Sequence, residues 1–375
     1  MLKGHKRLAA LILLAAFGTP QGARAGEFAV RATDGIEIHG VAEGAPARPR
    51  LAVIFVPGTG IYDRDTELGD SGTPRDLIFK DLAARMVARG VATVRYDMRG
   101  VRQGAPPILD RALLAGRTTS NIRDDLAAVY RWTRAPDVLG AACVAFFAHS
   151  EGMLHVARLA AQGAPAPALI IGMGAGMESP VDIVRWQIAE RDATSLLRAD
   201  SDRDGTTTNE EVRANIARTP SGVHGVVEPY FHPSGAWKAE DIAALRAVQS
   251  AFYEKLKSEA LAHADDAPYP DGAKATSSYE WWKSWFVDEE PTARLLARWP
   301  TPISLHYGDT DSQTPAELQI SAAKVHLPPE RLKTHVHPDL GHTLGSHVIL
   351  GPIDAAIADR IADEAAAAAE ACARP

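Results

Sequence analysis

Cysteine is scarce, with Cys143 and Cys372 alone in 375 residues, so neither a multi-disulfide scaffold nor a cysteine-rich metal cluster holds this chain together. Cys143 falls in an expected buried strand and Cys372 in the C-terminal tail. An oxidising compartment permits a bridge, but those positions do not suggest one, and Cys143 reads as a small core hydrophobe rather than a nucleophile. Long apolar runs are missing too: the longest, Leu8–Phe17, has ten residues, too few to span a bilayer. Positive charge is in deficit, with 40 Lys and Arg against 47 Asp and Glu, which argues against nucleic acid and anionic membrane as partners. With 46% hydrophobic and 23% charged residues, the chain carries enough apolar material for a full core, and disorder of the whole chain is excluded.

Lys3, Lys6 and Arg7 precede the short apolar run, and Pro20 leads into Ala23-Arg24-Ala25. This is the pattern of a secretory signal peptide, residues 1–25, cut after Ala25 and directing the protein to the periplasm or outside the cell. No cysteine follows the run, so a lipid anchor is not suggested, and no membrane association is expected after cleavage. The segment holds four basic residues and no acid, which leaves a mature net charge of −11.

Short apolar runs then alternate with amphipathic segments. Leu51–Val56, Ala92–Tyr96, Ala141–Ala148, Ala168–Met173, Pro302–Tyr307 and Leu332–His337 are expected as buried strands. Arg75–Arg89, Asn121–Thr133, Met153–Gln162 and Glu317–Val325 carry apolar residues at helical spacing. Such alternation predicts an α/β fold with a mostly parallel sheet covered by helices on both faces. Phe28–Arg31 and Ile36–Val41, flanking Thr33-Asp34-Gly35, are expected as an antiparallel hairpin at its edge. The alternation breaks near Met177 and resumes near Trp299, so residues 177–298 form a candidate helical insertion between 26–176 and 299–375. Residues 177–300 hold 13 of the 24 aromatics, among them Trp281, Trp282, Trp285 and Phe286, which can build an inserted core or line an apolar pocket. Alanine-rich Pro352–Ala371 predicts a closing helix.

Five segments carry chemistry. The strand ending at Phe147 runs into Ala148-His149-Ser150-Glu151-Gly152 and then a helix, a sharp turn that would expose the Ser150 hydroxyl above a helix N-terminus. Attack by that hydroxyl on a carbonyl needs two oxyanion donors: the N–H of Glu151, supplied by the turn, and one from Pro57-Gly58-Thr59-Gly60, where Thr59 is the candidate. A base and an orienting acid are needed next. Pro302–Tyr307 leads into Gly308-Asp309-Thr310-Asp311, with Pro315 four residues on, and Asp311 is preferred over Asp309 as the acid. His342, in the loop after Leu332–His337 and beside Gly341, is the candidate base; His335 and His337 lie within the strand. Gly172-Met173-Gly174-Ala175-Gly176 has the wrong spacing for a dinucleotide site, and no organic cofactor is expected.

Together with Asp63-Arg64-Asp65 and Tyr96-Asp97-Met98-Arg99-Gly100, these motifs resemble the α/β-hydrolase superfamily, nearest to its cephalosporin-deacetylase-like and dienelactone-hydrolase-like esterases. The resemblance covers about 27–176 and 290–360, and Ala148 and Met153 depart from the glycines common in the nucleophile turn. It implies a serine esterase with Ser150, Asp311 and His342 as triad, acting on a small-molecule ester. A peptidase or acyltransferase using the same triad is the alternative, as is an inactive calcium-binding protein of the same fold. Nothing in the sequence speaks to oligomeric state.

The fifth segment lies in the insertion. Asp200, Asp202, Asp204, Thr206 and Glu211 occupy positions 1, 3, 5, 7 and 12 of a loop with Gly205 at position 6, the spacing of an EF-hand calcium site, which it resembles. Thr207 stands where an apolar residue is usual, and no second loop pairs with it in the sequence. A structural Ca²⁺ site is expected.

Overall fold

A computed structural model describes residues 26–44, 48–69, 71–215, 228–269, 277–345 and 351–372; residues 1–25, expected as a signal peptide, lie outside them. Runs such as Leu-Ala-Val-Ile-Phe-Val are apolar on both faces, and they form strands buried along their whole length. Eight strands make the central sheet: β1 (Gly26–Arg31), β2 (Glu37–Glu43), β3 (Leu51–Val56), β4 (Ala92–Tyr96), β5 (Cys143–His149), β6 (Leu169–Met173), β7 (Ile303–Gly308) and β8 (Leu332–His337). Their spatial order is β1-β2-β4-β3-β5-β6-β7-β8. β2 runs antiparallel to both neighbours and every other pair is parallel.

Helices α1 (Ile78–Ala88), α2 (Thr119–Arg134), α3 (Gly152–Ala161), α4 (Ala316–His326) and α5 (Ala355–Ala371) cover the sheet. Apolar residues of α2, α3 and α4 share a core with one face, and those of α1 and α5 with the other. This is the α/β-hydrolase arrangement. It places the ends of β3, β5, β7 and β8, and the loops beyond them, along one edge.

The expectation for the cysteines needs correction: Cys143 and Cys372 form a disulfide. Helix α5 folds back so that its end stands over the start of β5, with the two Cα atoms 6.2 Å apart across 229 residues of sequence. That separation is one a disulfide spans, and no local pattern reveals it.

Between β6 and β7 run the helices Pro180–Arg185, Arg191–Ala199, Asn209–Ala214, Ala239–Ala262 and Tyr279–Val287. Tyr253, Tyr279, Trp281, Trp285 and Phe286 pack there with Ile183, Val184 and Leu154 of α3, so the aromatics build an inserted core against the sheet domain. Two strands of three residues, Thr206–Thr208 and Ala236–Lys238, pair antiparallel in this region. They are too short to show a two-residue period, which is why the sequence suggests only helices.

Candidate active site

Ser150 sits between β5 and α3 with φ +52°, a left-handed conformation that non-glycine residues adopt at a cost of about 1–3 kcal/mol. Close approach makes the turn possible. A Cβ on Gly152 would stand 2.4 Å from the Val56 carbonyl oxygen, and one on Gly58 would stand 2.8 Å from the Ser150 Cβ. The loop after β3 is therefore pressed against the serine. Ala148, at 0% exposure, fits where a glycine is more common.

Beyond β7 and β8, His342 Nδ1 lies 2.8 Å from Asp311 Oδ2, and both residues are buried. Backbone N–H groups of Gln313 and Thr314 donate to Asp311 Oδ1 at 2.8 and 3.0 Å, while the Thr314 hydroxyl donates to Oδ2 at 2.9 Å. These bonds orient the carboxylate toward the imidazole. Asp309 instead accepts the Asp339 N–H at 2.7 Å, joining the two loops. Pro315 is the N-cap residue of α4. No hydrogen bond joins Ser150 to His342 among the described residues; catalytic hydrogen bonds of this kind often tighten only when substrate binds.

Glu151 does more than the sequence suggests. Its buried carboxylate accepts the Thr59 hydroxyl at 2.5 Å and the Trp281 indole N–H at 2.8 Å, and lies 3.3 Å from His155 Nε2, one helical turn on. Burial raises its pKa, but His155, Thr59 and Trp281 outweigh that and hold the carboxyl below its ordinary value. One carboxylate thus ties the loop after β3, the helix Tyr279–Val287 and α3 together. The i, i+4 spacing of Glu151 and His155 was the available signal; the contact with Trp281, 130 residues away, had none.

A cavity of about 540 Å³ opens on Ser150, His342, Thr59 and Glu151. Trp281, Trp282, Trp285, Tyr269, Ile183, Val184 and Ile188 supply an apolar and aromatic wall, and Gln187, Gln313 and Thr314 add polar groups. Tyr62 also lines it; burial and then the Glu151 charge push its phenol up to about 12. His149 was missed by sequence reasoning. Its ring is 5.0 Å from that of His342, and both of its nitrogens are buried without a hydrogen-bond partner. Burial, and then the neighbouring His342, lower its pKa well below the ordinary value, so it stays neutral.

The acidic loop is not solitary, which corrects a second expectation. Thr207 pairs with Trp237, and the glycines at matching places, Gly205 and Gly235, have φ +88° and +94°. The Glu211 carboxylate accepts the Thr208 N–H at 2.9 Å, and Asp241 accepts the Lys238 N–H at 3.1 Å in the same relation. The second loop carries Tyr230, His232 and Ser234 where the first has Asp200, Asp202 and Asp204, and so offered no acidic motif to find. Thr207 is buried with its hydroxyl on the Leu196 carbonyl at 2.9 Å, and a small core of Ala193, Leu196, Val212 and Ile242 joins the two halves. Oxygens of Asp200, Asp202 and Asp204 converge within 4.8 Å, and Asp200 Oδ1 is buried without a hydrogen-bond partner, so these three residues suit a hard cation. Glu211 is drawn aside to Ser201 and Thr208, whose N–H and hydroxyl groups lower its pKa to about 2, the Thr208 backbone N–H first among them.

No protein-family model matches the chain, and no curated protein matches its sequence. Solved structures do resemble it. A structure described as DcsB in complex with its substrate analogue aligns with a TM-score of 0.50 and 14% identity, over 93% of this chain and 99% of that one. Est1E from Butyrivibrio proteoclasticus aligns at 0.49 and 14% identity, over 93% and 99%. The esterase RhEst1 from Rhodococcus sp. ECU1013 aligns at 0.48 and 15% identity, over 94% and 99%. At these identities the likeness is one of fold.

Proposed function

We propose that the protein is a serine hydrolase that cleaves a carboxylic ester through an acyl-enzyme. The observation that carries this reading is Ser150, held at positive φ on the strand-to-helix turn, sharing one cavity with a His342 whose Nδ1 is bonded to Asp311. Ser150 Oγ attacks the ester carbonyl while His342 Nε2 takes its proton. The N–H groups of Glu151 and Thr59 receive the oxyanion. His342 returns the proton to the leaving alcohol, and then activates the water that releases the acid. Asp311 holds the ring in the tautomer with Nδ1–H toward the carboxylate and stabilises the imidazolium. The tryptophan wall favours an ester with a large apolar or aromatic part.

The test is labelling with a fluorophosphonate together with turnover of a graded series of acyl esters. Wild type is expected to label once per chain, and Ser150→Ala to lose labelling and at least about 10⁴-fold of turnover. A Ser150→Ala protein that still labels would place the nucleophile elsewhere.

The same reading includes export and a structural Ca²⁺. The Cys143–Cys372 bridge supports an oxidising compartment, consistent with the signal-peptide pattern at residues 1–25. Asp200, Asp202, Asp204 and the Thr206 carbonyl would hold the ion, joined by Glu211 once it leaves Ser201.

A further inference from the structure

His306 of β7 and His335 of β8 are register partners, so their imidazoles project side by side from the face that α5 covers. The rings stack with centroids 4.5 Å apart. Glu364 of α5 reaches between them, with Oε2 3.4 Å from His306 Nε2 and Oε1 3.4 Å from His335 Nε2. The three groups bring ligand atoms within 4.8 Å of one another. A spacing of 3.4 Å is long for a hydrogen bond; His306 Nε2 meets Glu364 Oε2 and the Ser304 hydroxyl only at that distance, and His335 Nε2 is buried without a hydrogen-bond partner. It matches the edge of a tetrahedron around an ion with bonds of about 2.0–2.1 Å, roughly 3.3–3.4 Å.

The surroundings fit the same purpose. His337 Nε2 lies 3.2 Å from His306 Nδ1, the outer partner that fixes which nitrogen of His306 turns inward. Two imidazole nitrogens and a carboxylate thus converge on one point between the sheet and α5. We propose that His306, His335 and Glu364 bind a divalent transition-metal ion, zinc above all. Two imidazoles and a carboxylate suit zinc, whereas calcium and magnesium call for oxygen ligands. His335 and Glu364 keep 27% and 21% of their side-chain surface exposed, which leaves a path for the ion and a place for a water as fourth ligand.

None of the three residues lines the cavity of Ser150, and the proposal does not rest on the hydrolase reading. An ion here would staple β7 and β8, whose ends lead to Asp311 and His342, to α5. The test uses the full-length protein stripped with a chelator, dialysed, and titrated with Zn²⁺ in an excess of Ca²⁺ against a chromogenic zinc indicator. Wild type is expected to bind one zinc per chain with a rise in melting temperature, and Co²⁺ to give visible bands of a four-coordinate site. Glu364→Gln and His335→Gln, both partly exposed, should keep the wild-type circular dichroism and lose this binding by more than the roughly 10–100-fold that an outer partner carries, while His337→Gln should fall within that range. Asp200→Ala should bind zinc as wild type does. No zinc bound by wild type, or unchanged binding in Glu364→Gln and His335→Gln, overturns the proposal and leaves a hydrogen-bonded His-Glu-His cluster.

Discussion

Ser150, Asp311 and His342 stand on turns beyond β5, β7 and β8, whereas Trp281, Trp282 and Trp285 reach the same cavity from one nine-residue helix of the insertion. The first three inherit their positions from parallel strands locked by ladders of backbone hydrogen bonds. The tryptophans are held by side chains: Trp281 on Glu151, Glu280 on Thr119 at 2.7 Å, and Arg158 on Asp288 at 3.1 Å. Reacting groups need placement within a fraction of an ångström, and the sheet provides it. A wall that selects substrate tolerates an attachment that can be re-tuned by a few contacts. Changes at the strand ends should therefore lower kcat, and changes in the insertion should raise KM.

The largest effect after loss of the nucleophile is expected at Asp311. Asp311→Asn should lower turnover by about 10³–10⁴-fold through loss of the correct imidazole tautomer. Asp309→Asn, two residues away, should cost far less, because Asp309 joins loops rather than facing the ring. Steady-state kinetics on one ester check both, and the reverse ranking would move the acid.

Glu151→Gln strikes the point where the two regions meet. Losing charge-assisted bonds to Thr59, Trp281 and His155 should cost on the order of 10–100-fold in kcat/KM. The carboxyl pKa is depressed in the fold, so its contribution to stability is fully present above its unfolded pKa and lost as the pH falls through the lower folded value. Melting curves across the acid range should show that loss in wild type, and a shallower dependence in Glu151→Gln. Parallel curves would mean the carboxylate is not what joins sheet and insertion.

Trp281→Phe keeps an aromatic wall and removes the indole N–H, so KM should rise several-fold with kcat little changed, a donor to a charged acceptor contributing about 1.5–3 kcal/mol at most. A fall confined to kcat would instead place Trp281 with the reacting groups. The smallest effect is expected farthest from the cavity. Calcium should raise the melting temperature of wild type by a few degrees, for a structural gain of about 1 kcal/mol, and Asp200→Ala or a chelator should remove the rise. Equal melting temperatures in all three would mean that the loop binds no structurally useful metal.

Legibility followed the range of the interaction. The strands Leu51–Val56 and Ala92–Tyr96 appear with the bounds expected, because burial on both faces writes itself into consecutive residues. Leu332–His337 also has the bounds expected, but it stands at the sheet edge and, contrary to expectation, only His337 in it is buried. The nucleophile turn, the acidic loop and the two late loops are equally local. The partner of the acidic loop escaped notice because it keeps the backbone of the motif and the closing carboxylate, Asp241, but not the three aspartates at its start. His335 and His337, read only as rivals for the base, show one strand face in their two-residue spacing, but the residue that completes their cluster comes from α5.

What the sequence by itself determined was the alternation of elements, and with it the α/β-hydrolase sheet and the candidates Ser150, Asp311 and His342, since all of these are set by neighbours within a few positions. Only the tertiary structure decided the Cys143–Cys372 bridge, the three contacts of the Glu151 carboxylate, and the meeting of His306 and His335 with Glu364. In the bridge, the Trp281 contact and the Glu364 cluster, groups far apart in the chain are brought within bonding distance by the packing of helices on the sheet, and the energy of that packing depends on volume and shape summed over many residues rather than on any spacing a single segment can display.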